Sequence, residues 1–375
     1  MQLDIERSLW YNDSRTNKTE RKYQNMKRKI AILTAGLLAV SSLLTGCGKE
    51  NTKDSNKLNV GYLPSPGHLL YFVAQEEGYF KDEGLDVDLV LFNENNSELA
   101  ALESGKIDVG AFGSSELVTF LGDGHDITVF GGAMIAGHGL IVKPDLVEGI
   151  PEEEWSLELL KGKKIGVEGV DSGHIVYRSA LKKLGLENDV KFEVFADGAD
   201  AYNSLKSNDI DAAILYSPYR ILAENEGYVI LSNSGKVEGY ENHVCCRQAA
   251  LSSDLKKDPD TYTAFLRALI RAYRFYQENP DETIDDLAIY VDVDKDSLKK
   301  DTYEYDSQIA NPDPDIVGMK NFYDALLDTG FIEEFDISAG LSSELYEKAL
   351  GDVLKEDPDN EIYKYLADYN ERRDK

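Results

Sequence analysis

From position 58 onward, short apolar runs alternate with segments whose apolar residues recur every three to four positions. The runs at 58–63, 85–92, 109–112, 127–133 and 139–142 read as strands. Between them, 68–77 and 97–104 read as helices. A further helix is opened by Gly113-Ser114-Ser115, where a serine supplies the N-cap. A second set follows Pro144, with strands at 164–167, 191–195, 212–216 and 229–231 and helices at 174–184, 199–206 and 218–226. An extended stretch at 242–251 comes next. Everything beyond Pro259 reads as helix, including 262–277, where Phe265, Leu269, Ala272, Tyr273 and Tyr276 share one face.

Strands alternating with helices predict an α/β fold, and two such sets predict two lobes. Lobe I is expected to hold 58–140 plus 244–375, with the C-terminal helices completing it, and lobe II 141–243. The chain then passes between lobes twice, which makes a hinge and a cleft. Ligands of open α/β sheets sit beyond the carboxyl ends of the strands, and closure about a few hinge residues traps them.

The first 57 residues follow a different pattern. Residues 1–25 are polar and read as an over-extended start, with Met26 the initiator. From Met26 the order is basic (Lys27-Arg28-Lys29), apolar from Ile30 to Leu44, then small, which is the order of a secretory signal at 26–46. The apolar stretch would span only about 22 Å as a helix, short of the roughly 30 Å hydrocarbon core. Its ending, Leu44-Thr45-Gly46-Cys47, resembles the bacterial lipoprotein signal, which implies that Cys47 receives lipid and that the protein is held on the outer face of the cell membrane. Residues 47–57 are polar and read as a flexible tether.

Composition narrows the partners. Removing 1–46 takes away eight Lys/Arg and four Asp/Glu, leaving 32 basic against 65 acidic residues. So large a negative excess opposes binding to nucleic acid or anionic lipid, although a cleft keeps its own local field. Beyond Cys47 there are only Cys245 and Cys246, so no disulfide framework is expected.

The stretch GYLPSPGHLLYFVAQEEGYFKDEGLDVDLV resembles the opening of substrate-binding lipoproteins of ABC importers, in the branch that handles nitrate, taurine, alkanesulfonates and thiamine-pyrimidine precursors. LESGKIDVGAFGSSE, KKIGVEG, LKSNDIDAAILYSPY and FLRALIRAYRFYQENPDETIDDLA follow in the order of that family. The resemblance implies a two-lobed, type II periplasmic-binding-protein fold and capture of a small anionic or heteroaromatic solute. It also implies delivery to a permease that works with an ATP-hydrolysing subunit. Neither catalysis nor a cofactor is expected of this chain, and hinge closure favours a monomer.

The ligand contacts of the family come from loops after strands. Carried over, they are Leu63, Pro64, Ser65, Gly67 and His68 after the first strand and Gly113, Ser114 and Ser115 after the third. Asp171, Ser172, Gly173, His174 and Tyr216 follow in lobe II, with His138, His243, Cys245 and Arg247 on the crossings. Three of these loops feed helix N-termini, whose free N–H groups and dipole suit an anion. Arg247, Arg178 and Lys143 are candidate countercharges. Strand alternation puts His243, Cys245 and Arg247 on one face and Cys246 on the other, so one cysteine would line the cleft while the other packs in a core. Tyr62, Tyr71 and Phe72 read as core aromatics, and His125 as an inert turn residue.

An alternative reading makes the protein metal-binding, through His243 and Cys245, or similar to fungal thiamine-pyrimidine synthases, through His68, His243 and the Cys245/Cys246 pair. The pyridoxal lysine and fuller cysteine motif of those enzymes are not evident here.

Overall fold

The computed structural model describes residues 56–304 and 308–374; the leader, Cys47 and nearly all of the tether lie outside the described residues. Eleven strands form three sheets among the described residues. β1 (Lys57–Tyr62) pairs in parallel with β2 (Asp86–Leu91), and Val60 bridges to Val109 just ahead of β3 (Gly110–Gly113). β4 (Ile127–Ala136) ends the first run, and β5 (His138–Val142) opens the second. There follow β6 (Lys164–Glu168), β7 (Lys191–Phe195), β8 (Ala212–Tyr216) and β9 (Val229–Asn233). The chain then returns through β10 (Val244–Leu251) and β11 (Gln308–Ala310). The first lobe carries a four-stranded sheet of order β11-β4-β10-β3, and the second a five-stranded sheet of order β7-β6-β8-β5-β9.

The strands are apolar on both faces where helices cover both faces. All five residues of β5 are buried, as are all four of β3. Beneath the first lobe, Phe72, Phe130, Phe265, Leu269 and Tyr346 belong to one core. It is roofed by the helix Pro259–Glu278, which starts with a proline and an Asp258 carboxylate accepting from the Thr261 N–H. A second core runs from Phe112 and Leu117 through Leu140 and Ile175 to Phe322 and Leu326, so apolar contact is continuous between the lobes.

Two sequence expectations need correction. The first crossing lies at Ala136–Gly137, both with positive φ, so residues 138–140, expected in the first lobe, belong to the second sheet. The C-terminal tail is not wholly helical: β11 adds an edge to the first sheet, pairing Gln308–Ala310 with Ala136–Met134. Three residues are too few to show an alternation, so the sequence carried no strand signal there.

The second crossing, 234–243, lies beside the first, and the Ala136 N–H donates to the His243 carbonyl at 2.8 Å. A third tie joins the lobes away from the crossings. Arg220, on the helix Tyr219–Asn225, forms a buried ion pair with Asp301, and Ser217 Oγ donates to the same carboxylate at 2.7 Å.

Candidate ligand-binding cleft

The lobes face one another across a cavity of about 520 Å³. Polar contacts between the lobes flank it. Ser65 Oγ donates to the Ser217 carbonyl at 2.7 Å, and Ser115 Oγ stands 3.5 Å from Ser172 Oγ.

The first-lobe wall is built from strand ends. Leu63, Ser65 and His68 follow β1, Asn95 follows β2, and Gly113 and Glu116 follow β3. Met134 comes from β4, Cys245 and Cys246 from β10, and Gln308 from β11. His138 on β5, Glu168, Asp171 and Ser172 after β6, and Tyr216 at the end of β8 form the other wall. Among the described lining residues there is no lysine or arginine.

The lining is instead acidic, and much of it is withdrawn from water. Asp171 caps the helix Ser172–Lys183, its Oδ1 accepting from the His174 N–H at 2.7 Å, while Oδ2 is buried without a partner. Burial, and then the charge of Glu116, hold its pKa well above the usual aspartate value. Glu116 sits in the first turn of the helix Ser114–Gly122 with its carboxylate against Gly113; burial pushes it up to about 8, with Glu168 adding to the rise. Glu168 is likewise pushed up to about 8, by burial and then by Asp171. These directions follow from placing carboxylates together in a low-dielectric site.

The imidazoles and thiols are shifted too. Burial drives His138 down to about 3, assisted by His243 and Arg220, so it stays neutral; its Nε2 is 3.8 Å from Asp171 Oδ1. The sulfurs of Cys245 and Cys246 are free thiols 3.6 Å apart. They compete for negative charge, and Cys246, which faces His68, is held below an ordinary thiol while Cys245 is held above it.

Several expected contacts lie elsewhere. Arg247 is fully buried beneath the cleft, its guanidinium donating to the carbonyls of Met134, Cys246 and Pro314. His243 bonds Ser234 Oγ at 2.9 Å and packs on Phe322, so it stands apart from His68 and the two cysteines, which share the lining. The expected alternation fails because β10 shifts register on both sides of Cys246, which brings both cysteines to the cleft. His174 bonds the Gly169 carbonyl at 2.8 Å and packs on Phe192 and Phe331. Ser114 Oγ is spent on the Cys245 carbonyl at 2.7 Å, and Ser115 lies on the seam.

Pro64 is absent from the lining. Gly67 and Gly173 act by close approach. A Cβ on Gly67 would lie 2.3 Å from Met134 Sδ, and one on Gly173 2.6 Å from the His138 ring. Arg178 pairs with Glu187, Lys143 precedes a short turn, and His125 pairs with Glu103, all outside the lining. Tyr62, Tyr71 and Phe72 pack against Tyr290 and Phe265 in the first-lobe core.

The sequence reading missed Asn95, Glu116, Met134, Glu168 and Gln308. Glu116 had a signal, since an acid three residues after Gly113 in a loop already chosen could have been included. Among the described residues, no group of three or more His, Cys, Asp and Glu has the geometry to hold a metal ion.

Comparison with known proteins gives the lineage. A family profile described as NMT1/THI5 like matches residues 65–283, more than half of the chain. The chain belongs to this family. Within NMT1/THI5-like proteins and their relatives, it is 29% identical over 212 residues to the taurine-binding periplasmic protein of Escherichia coli, covering 56% of this chain and 63% of that one. It is 23% identical to the formylaminopyrimidine-binding protein of Halalkalibacterium halodurans, over 69% of this chain and 77% of that one. The ligand-binding component of an ABC-type import system from Staphylococcus aureus, solved with zinc bound, superimposes with a TM-score of 0.67 at 15% identity. That match spans 78% of this chain and 99% of the other, and it shows that the fold is shared. The NMT1/THI5-like profile spans both walls of the cleft, from Ser65 through Cys246.

Proposed function

We propose that this protein is the solute-capturing component of an ABC importer. It binds one small molecule between its lobes, closes, and presents the solute to a membrane permease without chemically altering it. The observation that supports this most directly is the cleft itself. Side chains from strand ends in both lobes converge on one cavity, at the position where open α/β sheets bind ligands. The relatives named for taurine and formylaminopyrimidine are binding proteins as well.

We take Leu63, Ser65, His68, Gly113, His138, Asp171, Ser172, Tyr216 and Cys245 as ligand contacts from the sequence reading, joined by Asn95, Glu116, Glu168 and Cys246 from the fold. Lipid on Cys47 holds the monomeric protein at the outer face of the membrane. No helix among the described residues is long and apolar enough to cross one.

The test is a thermal-shift screen with amines, aminopyrimidines, sulfonates and nitrate, followed by mass balance on any solute that binds. A midpoint that rises with the logarithm of ligand concentration, with the solute recovered unchanged, supports capture. Consumption of the solute refutes it. For the anchor, Cys47→Ala is expected to move the protein from the membrane fraction to the soluble one.

A further inference from the structure

Resting on the capture reading, we infer that the cleft selects a compact organic cation carrying several N–H bonds, of the amidinium, guanidinium or small primary ammonium class. The unpartnered atoms of the lining carry the inference. Asn95 Oδ1, Glu116 Oε2, Glu168 Oε2 and Asp171 Oδ2 are all buried without a hydrogen-bond partner, and all belong to lining residues. Against these four acceptors stands one unpartnered donor in the lining, Gln308 Nε2. Asp171 is 5% exposed, so its free oxygen cannot be satisfied by bulk water in this closed arrangement. Buried acceptors without donors are costly, and a ligand that brings donors removes that cost on binding.

Charge points the same way. Three carboxyl groups share the cavity, and the nearest buried guanidinium groups are committed elsewhere: Arg220 to Asp301, Arg247 to backbone carbonyls. The protein already places oxygen at the helix ends that would suit an anion. Asp171 accepts from the N–H at the start of the helix Ser172–Lys183, Ser65 caps the turn Pro66–His68, and the Glu116 carboxylate lies against the first turn of its own helix. An anion entering here would meet carboxylates where it needs N–H groups. Burial pushes the pKa of Glu116 and of Glu168 up to about 8, so both hold their protons near neutral pH in the empty cleft, and a bound cation favours their ionised form.

Size restricts the class further. At this degree of closure the cavity has room for only a few waters, hence for a ligand of a few heavy atoms. Planar N–H forks on such a scale match carboxylates in pairs.

The experiment is calorimetric titration of the purified chain with guanidinium, acetamidinium and ethylammonium chlorides, guanidinium being kept at low-millimolar, non-denaturing concentrations. Nitrate and ethanesulfonate form the anion arm, and tetramethylammonium supplies charge without N–H. Saturable one-to-one binding of an N–H cation is expected, weakened about tenfold or more by Glu168→Gln and by Asp171→Asn. The side-chain amide in the second variant still accepts the capping N–H of its helix, and circular dichroism would confirm that both variants fold.

Tetramethylammonium binding as tightly as guanidinium overturns the donor requirement. Variants that hold cation affinity within about twofold overturn the assignment to these carboxylates. Saturable binding of nitrate or ethanesulfonate without any cation overturns the ligand class and leaves the capture reading standing. Silence in every arm overturns the ligand class, and the wider thermal-shift screen then decides the capture reading separately.

Discussion

Arg220 and Arg247 are withdrawn from water, and although each keeps a nitrogen without an acceptor, each charge is met by a carboxylate, Asp301 for one and the nearby Asp315, with three backbone carbonyls, for the other. Glu116, Glu168 and Asp171 are also drawn into the interior, yet each keeps a carboxylate oxygen with no partner and no lysine or arginine lines the cleft beside them. The difference separates charge that maintains the fold from charge held ready for something else. Paired buried ions lock two segments together, whereas unpaired ones lower stability until a partner arrives.

Several measurements would break or sharpen that contrast. The largest effect is expected from Arg220→Ala, which strands the buried Asp301 carboxylate. Urea unfolding should show a loss of about 3–5 kcal/mol, partly restored by adding Asp301→Asn. A loss below about 1 kcal/mol would mean that the pair contributes little.

The cleft acids should behave in the opposite sense. Glu168→Gln and Asp171→Asn remove buried, unpaired charge, so each is expected to stabilise the empty protein by on the order of 1 kcal/mol at about pH 8. Destabilisation by either variant would count against the comparison.

Stability against pH offers a third test. His138, His174 and His243 have folded values near 3, 4 and 4, below the ordinary 6.5. The unfolded chain therefore takes up protons first, and their contribution, complete above about 6.5, is lost as the pH falls toward about 4. Glu98, Glu116 and Glu168 are raised to about 8, so their contribution is present below 4.5 and is lost as the pH rises through about 8. Thermal midpoints should fall on both sides of a maximum at about pH 5–7, and Glu168→Gln should flatten the alkaline side.

The smallest effect belongs to Arg178→Gln. Its pair with Glu187 is partly exposed and remote from the lining, so a change of at most about 1 kcal/mol is expected, with ligand affinity unmoved.

Much of this architecture was legible from residue periodicity. The central strands before position 252, such as β3 and β5, were visible as apolar runs because both faces of their sheets are covered, and Pro259–Glu278 because its apolar stripe spans about five turns. The cleft loops followed from the fold. What could not be read was the sign of the field inside it. Serines at helix starts look the same whether or not a carboxylate stands beside them, and only the folded chain shows Asp171 capping one helix and the Glu116 carboxylate lying at the start of another. Cys246 escaped for a different reason: period-two alternation assumes an unbroken register, and β10 breaks its register there. Gln308 depended on a three-residue strand with too little pattern to detect.

The order of strands along the chain also bears on how the molecule is made. All five strands of the second sheet lie between His138 and Asn233, so that sheet can assemble from one continuous stretch. The first sheet must wait. Its β3 and β4 gain the strand between them only when β10 has emerged, and the outer edge only with β11 at Gln308–Ala310. As the polypeptide emerges from its N-terminus, the first lobe therefore spends the longest time with open strand edges, though it is the first to appear. The lobe synthesised second is thus the one that can finish folding first.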